Sequence, residues 1–136
     1  MTSAAPAQIR IRRIYEAPDG GYRVLVDRVW PRGVAKADLE IDEWCRAVAP
    51  STAARQDFGH RPERFAGFAT RYEDELAAPG DPERPDDGGR PAVDALLDRW
   101  HRSRKKDLVL LYAARDTEHN HAVVLRDVLE DRRAGR

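Results

Sequence analysis

Two short segments of the sequence concentrate the side chains that could do chemistry. The first, Asp27-Arg28-Val29-Trp30-Pro31-Arg32-Gly33, carries one carboxylate, two guanidiniums and an indole. The second, Tyr112-Ala113-Ala114-Arg115-Asp116-Thr117-Glu118-His119-Asn120-His121, adds a phenol, a third guanidinium, two further carboxylates, two imidazoles and an amide. Arg28, Arg32 and Arg115 are of the type that grips phosphate or carboxylate through paired N–H donors. Asp27, Asp116 and His119 are the groups that could take or give a proton. Asn120 and Tyr112 could orient a ligand, and Asn120 with His119 could equally cap a following helix. Trp30 could stack on a ligand, although an indole beside a proline more commonly seals the edge of a core.

Both segments follow short apolar, β-branched runs. Tyr22 to Arg28 and Leu108 to Ala113 read as strands buried on both faces. Helical patterns separate them, and buried strands joined by helical crossovers pair in parallel. The expectation is therefore a single three-layer α/β domain, a small mostly parallel sheet flanked by helices. In open parallel sheets, ligands bind beyond the carboxyl ends of the strands. If the two strands are neighbours, the two segments meet there and form one cleft for a small anionic or phosphorylated ligand. Hydrolase or transferase chemistry is one use of such a cleft. A noncatalytic regulatory or nucleic-acid-linked module and a plain interaction domain are the others.

The remaining pattern supplies the scaffold. Residues 1–8 carry no periodicity and are expected to be disordered, and Ile9, Ile11 and Ile14 mark a weak strand. The stretch 35–48 is ambiguous between helix and strand. Ser51 suits the N-cap of a helix reaching Phe58, and Pro62 suits the first turn of the next. Phe65, Phe68, Tyr72 and Leu76 then fall on one helical face. Between Pro79 and Pro91, seven of thirteen residues are Pro or Gly, so a mobile surface loop is expected. Val93, Leu96, Leu97 and Trp100 mark another amphipathic helix, a last helix is expected over 118–129, and 131–136 reads as a loose tail.

Composition narrows the function classes. With 136 residues, 24 Lys plus Arg and 24 Asp plus Glu, the chain has one domain's length and no net charge. Neutrality argues against coating nucleic acid or anionic lipid by bulk electrostatics. Nucleic acid is thus a weak partner expectation, and no membrane partner is expected, since no apolar run reaches the ~18 residues of a span. A cytoplasmic location is expected. The cations are 21 Arg and 3 Lys, a ratio that GC-rich coding explains as well as function does. The lone Cys45, beside Trp44, reads as a small buried thiol. His119 and His121 point to opposite sides of a helix, so no metal site is expected. His60, after Phe58-Gly59, could reach a cleft or face solvent. There is no P-loop, dinucleotide fingerprint, nucleophile elbow or zincin helix, so no cofactor is implied.

The run Gly21 to Gly33, with Trp44, Pro50-Ser51, Leu111-Tyr112-Ala113-Ala114, His119-Asn120 and Ala122-Val123-Val124-Leu125, resembles the YeaO-like branch of the domain-of-unknown-function family 488. The likeness spans about Ile9 to Leu129, and Arg55, Phe58-Gly59-His60, Phe68, Tyr72 and Glu75-Leu76 also match. It departs at Pro79 to Pro91, which is longer and richer in Gly and Pro. The resemblance implies a bacterial domain without an established activity. Many relatives carry a Cys-His-Arg run in the second loop. Here that stretch, near His119-Asn120-His121, has no cysteine, so thiol chemistry does not carry over. A strand-end aspartate with a later strand, loop and helix also resembles the rhodanese layout, by analogy alone.

Overall fold

The computed structural model describes residues 6–78 and 90–135. Four strands, β1 (Ile9–Arg13), β2 (Tyr22–Leu25), β3 (Glu43–Trp44) and β4 (Leu108–Tyr112), form one sheet in the order β1-β4-β2-β3, with every pair parallel. Among the described residues, four α-helices complete the α/β domain: α1 (Thr52–Phe58), α2 (Phe65–Ala77), α3 (Ala92–Ser103) and α4 (His121–Arg133). None of the described helices is long and apolar enough to cross a membrane.

β4 is central, and every one of its five residues is buried, which is why its sequence is an unbroken apolar run. Leu108, Leu110 and Tyr112 face the helices together with Val24 and Val26, while Val109 and Leu111 face the other way with Leu25. Fully burying each such aliphatic side chain contributes roughly 1.5–3 kcal/mol. All four α-helices feed the first cluster. The third layer, over the opposite face, is irregular chain: Trp30, Val34, Leu39, Ile41 and Trp44 cover it, with a single 3-10 turn at Lys36–Asp38. This resolves the ambiguous 35–48 stretch: Leu39, Ile41 and Trp44 seal this sheet face from a loop, while Cys45 and Val48 turn to the helix-covered core, so no single periodicity runs through it. β3 itself is only two residues long, and Cys45 extends the pairing by donating its N–H to Leu25 at 2.9 Å.

β1 and β2 are joined by residues 14–21 alone, yet β4 lies between them. The return runs across the loop-covered face, where Gly21, at φ +87°, passes so near β4 that a Cβ would sit 2.8 Å from the Val109 side chain and 3.0 Å from the Asp107 carbonyl. Only glycine fits there.

The helix boundaries follow local hydrogen bonding. Ser51 caps α1 by accepting from the Ala54 N–H at 3.0 Å, while its own N–H and hydroxyl donate to Glu75 of α2 at 2.9 and 2.6 Å. Phe68, Tyr72 and Leu76 form the buried stripe of α2, with Phe65 at its edge, and the Tyr72 hydroxyl donates to the Val48 carbonyl. α4 begins at His121 rather than near Glu118, because the Asp116 carboxylate accepts from the Glu118 and His119 N–H groups, both at 2.9 Å, and holds that segment as a turn. At its other end α4 runs to Arg133, into the stretch expected to be a loose tail. There Arg133 reaches the Ala7 carbonyl at 2.8 Å and lies over the Trp100 ring. The Gly/Pro-rich segment expected to be mobile lies, over 79–89, outside the described residues.

Candidate functional site

β2, β3 and β4 are adjacent and parallel, so their carboxyl ends open on the same side of the sheet. The chain leaving β2 supplies Asp27, Arg28 and Val29. The chain leaving β3 makes a 3-10 turn, then Pro50, and enters α1, which presents Thr52, Arg55 and Gln56. The chain leaving β4 supplies Ala113, Ala114, Arg115 and Asp116 before Asn120 and His121 start α4. Together with Phe58, His60 and Phe68 these enclose a cavity of about 710 Å³.

Its base is built from Asp27 and His121, both largely shielded from solvent. One Asp27 oxygen accepts the Ala113 N–H at 3.0 Å, which ties the β2 exit to the β4 exit. The other is buried and lies 3.0 Å from His121 Nε2. That ring nitrogen is also 3.1 Å from the Val26 carbonyl and directs its N–H there, so the carboxylate oxygen feels the imidazole's field rather than a linear hydrogen bond. With two acceptors beside it, Nε2 carries the proton. The Tyr72 ring stands edge-on to His121 with centroids 6.3 Å apart, and burial holds the Tyr72 phenol well above its ordinary pKa. From β1, Arg13 donates to the Ala114 carbonyl at 3.0 Å and the Ala113 carbonyl at 3.4 Å, so the β4 exit is clamped from both flanks.

The rim is cationic. Arg28 is held by its Nε–H on the Pro50 carbonyl at 3.0 Å, which leaves the end of its guanidinium available. Arg55 and Arg115 are exposed. Among the described residues no carboxylate forms an ion pair with any of these three, although many other arginines of the chain are paired. Asp116, the one rim carboxylate, is held below the ordinary carboxylate pKa by the His119 and Glu118 amides and then by the His119 side chain. Its carbonyl accepts from Asn120 Nδ2 at 2.8 Å, and Asn120 Oδ1 accepts from the Val123 N–H at 3.1 Å, so Asn120 is the N-cap of α4 as well as a cavity residue.

A family model described as the inactive DUF488-N3 subclade matches residues 8–136. The chain belongs to this family. This DUF488 chain is 40% identical over 123 residues to the uncharacterized protein YeaO of Escherichia coli K12, covering 89% of this chain and 96% of that one. It is 51% identical over 71 residues to the uncharacterized proteins Mb3100c of Mycobacterium bovis and Rv3073c of Mycobacterium tuberculosis, which is 51% of this chain and 60% of theirs. No solved structure matches. The YeaO-like resemblance read from the sequence is thus the family of the chain.

Of the residues singled out in the sequence of this DUF488 chain, Asp27, Arg28, Arg115, Asp116 and Asn120 line the cavity. Four others do not. Trp30 turns under the sheet, donates its indole N–H to the Val34 carbonyl at 2.6 Å and stands edge-on to Trp44 at 5.3 Å, where it packs. Arg32 lies exposed beyond that turn, away from the cavity. Tyr112 points into the helix-covered core, and burial raises its phenol pKa. His119 sits outside, its Nδ1 3.0 Å from Asp116 and its ring edge-on to Phe65 at 5.4 Å. His119 and His121 therefore face different surroundings, one outside the cavity and one at its base.

The sequence did not single out Arg55, Phe58 or Phe68 as site residues, and weighed His121 only as a metal ligand. The missing signal was the third strand exit. Applied to β3 as well as to β2 and β4, the strand-end rule leads through Pro50-Ser51 to α1, but a two-residue strand leaves no periodicity to find.

Proposed function

We propose that the cavity binds a small anionic or phosphorylated ligand and holds it without turnover. The observation that carries this reading is the placement of Arg28, Arg55 and Arg115: each follows a different strand, they border one cavity, and none is ion-paired among the described residues. Three guanidiniums against two carboxylates, Asp27 and Asp116, leave the lining cationic, and paired N–H donors match phosphate geometry. Binding without chemistry is favoured because both carboxylates are already engaged. Asp27 braces the two strand exits, and Asp116 organises the turn before α4. The description of the matched family as an inactive subclade points the same way. A cytoplasmic location goes with this reading, since phosphorylated metabolites are made and consumed there.

One observation favours a second reading, hydrolase or transferase activity. Asp27 and His121 are paired on the cavity wall, an arrangement that elsewhere moves protons.

Calorimetric titration with inorganic phosphate and pyrophosphate at low ionic strength tests the first reading. Arg55→Ala and Arg115→Ala should each weaken binding by about tenfold, the loss of one charge-assisted contact, while Arg32→Ala should leave it unchanged. At one hundred times the dissociation constant, the ligand adds about 2.7 kcal/mol of stability. Absence of any thermal shift with either anion, or equal affinity in all three variants, would overturn it. Steady hydrolysis of a phosphate ester that stops in His121→Ala would establish the second reading instead.

A further inference from the structure

We infer that the anion bound in this cavity carries a planar aromatic ring, as an aryl phosphate or a nucleoside monophosphate does, and that the ring packs on His60 beside Phe58 and Val29. The inference rests on the anion-site reading and deepens it. A cavity of about 710 Å³ is in the range that holds a drug-sized molecule, far more space than an inorganic anion fills. Beside the arginines and polar groups such as Thr52, Gln56 and Asn120, its lining includes an apolar and aromatic set: Val29, Pro50, Phe58 and Phe68.

His60 is the residue placed to meet a ring. It is exposed, it lines the cavity, and its imidazole is tilted by 48° against Phe58 at a centroid distance of 6.0 Å. Its backbone is left-handed, φ +57°, directly after Gly59 at φ +55°. Glycine adopts that conformation readily, but a side chain there costs roughly 1–2 kcal/mol. The C-cap of α1 needs only the glycine, whose N–H returns to the Arg55 carbonyl at 3.0 Å. The second left-handed residue is an added cost that turns an imidazole onto the cavity wall, and such strain concentrates at binding sites. Val29, 61% exposed, is one of two large apolar side chains left so open among the described residues, and it lies on the same cavity. Aromatic stacking tolerates different ring identities, so the class of ring is defined here by shape and charge.

The test compares inorganic phosphate, phenyl phosphate and adenosine monophosphate by calorimetry on the full chain, in the wild type and in His60→Gly. Glycine accepts the left-handed backbone, so this variant removes the ring without disturbing the turn. In the wild type, phenyl phosphate and adenosine monophosphate should bind about tenfold more tightly than phosphate, and in His60→Gly that advantage should vanish while phosphate affinity stays the same. Ligand-to-protein nuclear Overhauser contacts from the phenyl protons to His60 and Phe58 should accompany it. Equal affinity for phosphate and the two esters in the wild type would overturn the inference and leave the anion site standing. An advantage that survives in His60→Gly, with no contacts to His60, would also overturn it. No binding of any of the three would remove the anion site itself.

Discussion

The chains leaving β2 and β4 look alike in sequence, each an apolar strand running into Asp and Arg, yet the structure uses them differently. The β4 exit stays at the cavity. Asp27 takes its amide, Arg13 its carbonyls, Asp116 folds it into a turn and Asn120 converts it into α4. The β2 exit divides after Val29. Asp27 and Arg28 stay with the cavity, while Trp30 and the buried Pro31 pass to the opposite face of the sheet and close its loop-built layer. The carboxyl end of a strand thus guarantees a position only for about the first four residues beyond it. Residues further along belong to the site only if the chain goes on into a helix above the same edge.

The sharpest way to break this comparison is at the residue that joins the two exits. Asp27→Ala strips the carboxylate from beside the Ala113 amide and His121, and should destabilise the fold by about 3 kcal/mol. The check is a fall in the urea midpoint at unchanged m-value. A loss below about 1 kcal/mol, within the range of an ordinary hydrogen bond, would show that the exits do not depend on one another. Trp30→Ala tests the divergence of the β2 exit. It should cost about 2 kcal/mol, less than a fully buried indole, and leave phosphate affinity untouched. A selective loss of affinity would return Trp30 to the site. Asn120→Ala removes the cap that turns the β4 exit into a helix, for about 1 kcal/mol. Amide exchange should quicken in the first turn of α4 before elsewhere.

The smallest effect is titratable. Asp116 has its folded pKa lowered by the His119 and Glu118 amides. Its stabilisation is therefore complete above the ordinary carboxylate value of 3.8 and is lost as pH falls below it, through the lowered folded pKa. The melting-point gap between wild type and Asp116→Asn should be widest at neutral pH and close on acidification. A gap independent of pH would mean that the carboxylate's charge is immaterial to the turn.

The legibility of the sequence is set by these same forces. Leu108 to Tyr112 was legible because burial on both faces demands an unbroken apolar run, and Ser51 because a capping hydroxyl ahead of an amphipathic stretch has few other uses. Trp30, Arg32, Tyr112 and His119 were misplaced in the site for one reason. Sequence proximity to a strand end does not say toward which face a side chain turns, and Tyr112 sits on the strand's helix-facing side while His119 is drawn outward to Asp116 and Phe65. Arg55 and Phe58 were hidden because the strand that delivers them is two residues long. His121 was hidden because its partners, Val26 and Asp27, are more than ninety positions away.

The eight-residue return between β1 and β2 has a consequence for how the chain reaches its native state. Those two strands cannot pair with each other, because the slot between them belongs to β4, whose neighbour Asp107 contacts Gln8 across 99 residues of sequence. The sheet can close only after β4, at Leu108–Tyr112, has been synthesised. Until then β1 and β2 present open edges, and the closing event is a long loop closure with little local structure to reward it, which makes assembly slow and leaves the nascent chain open to mispairing.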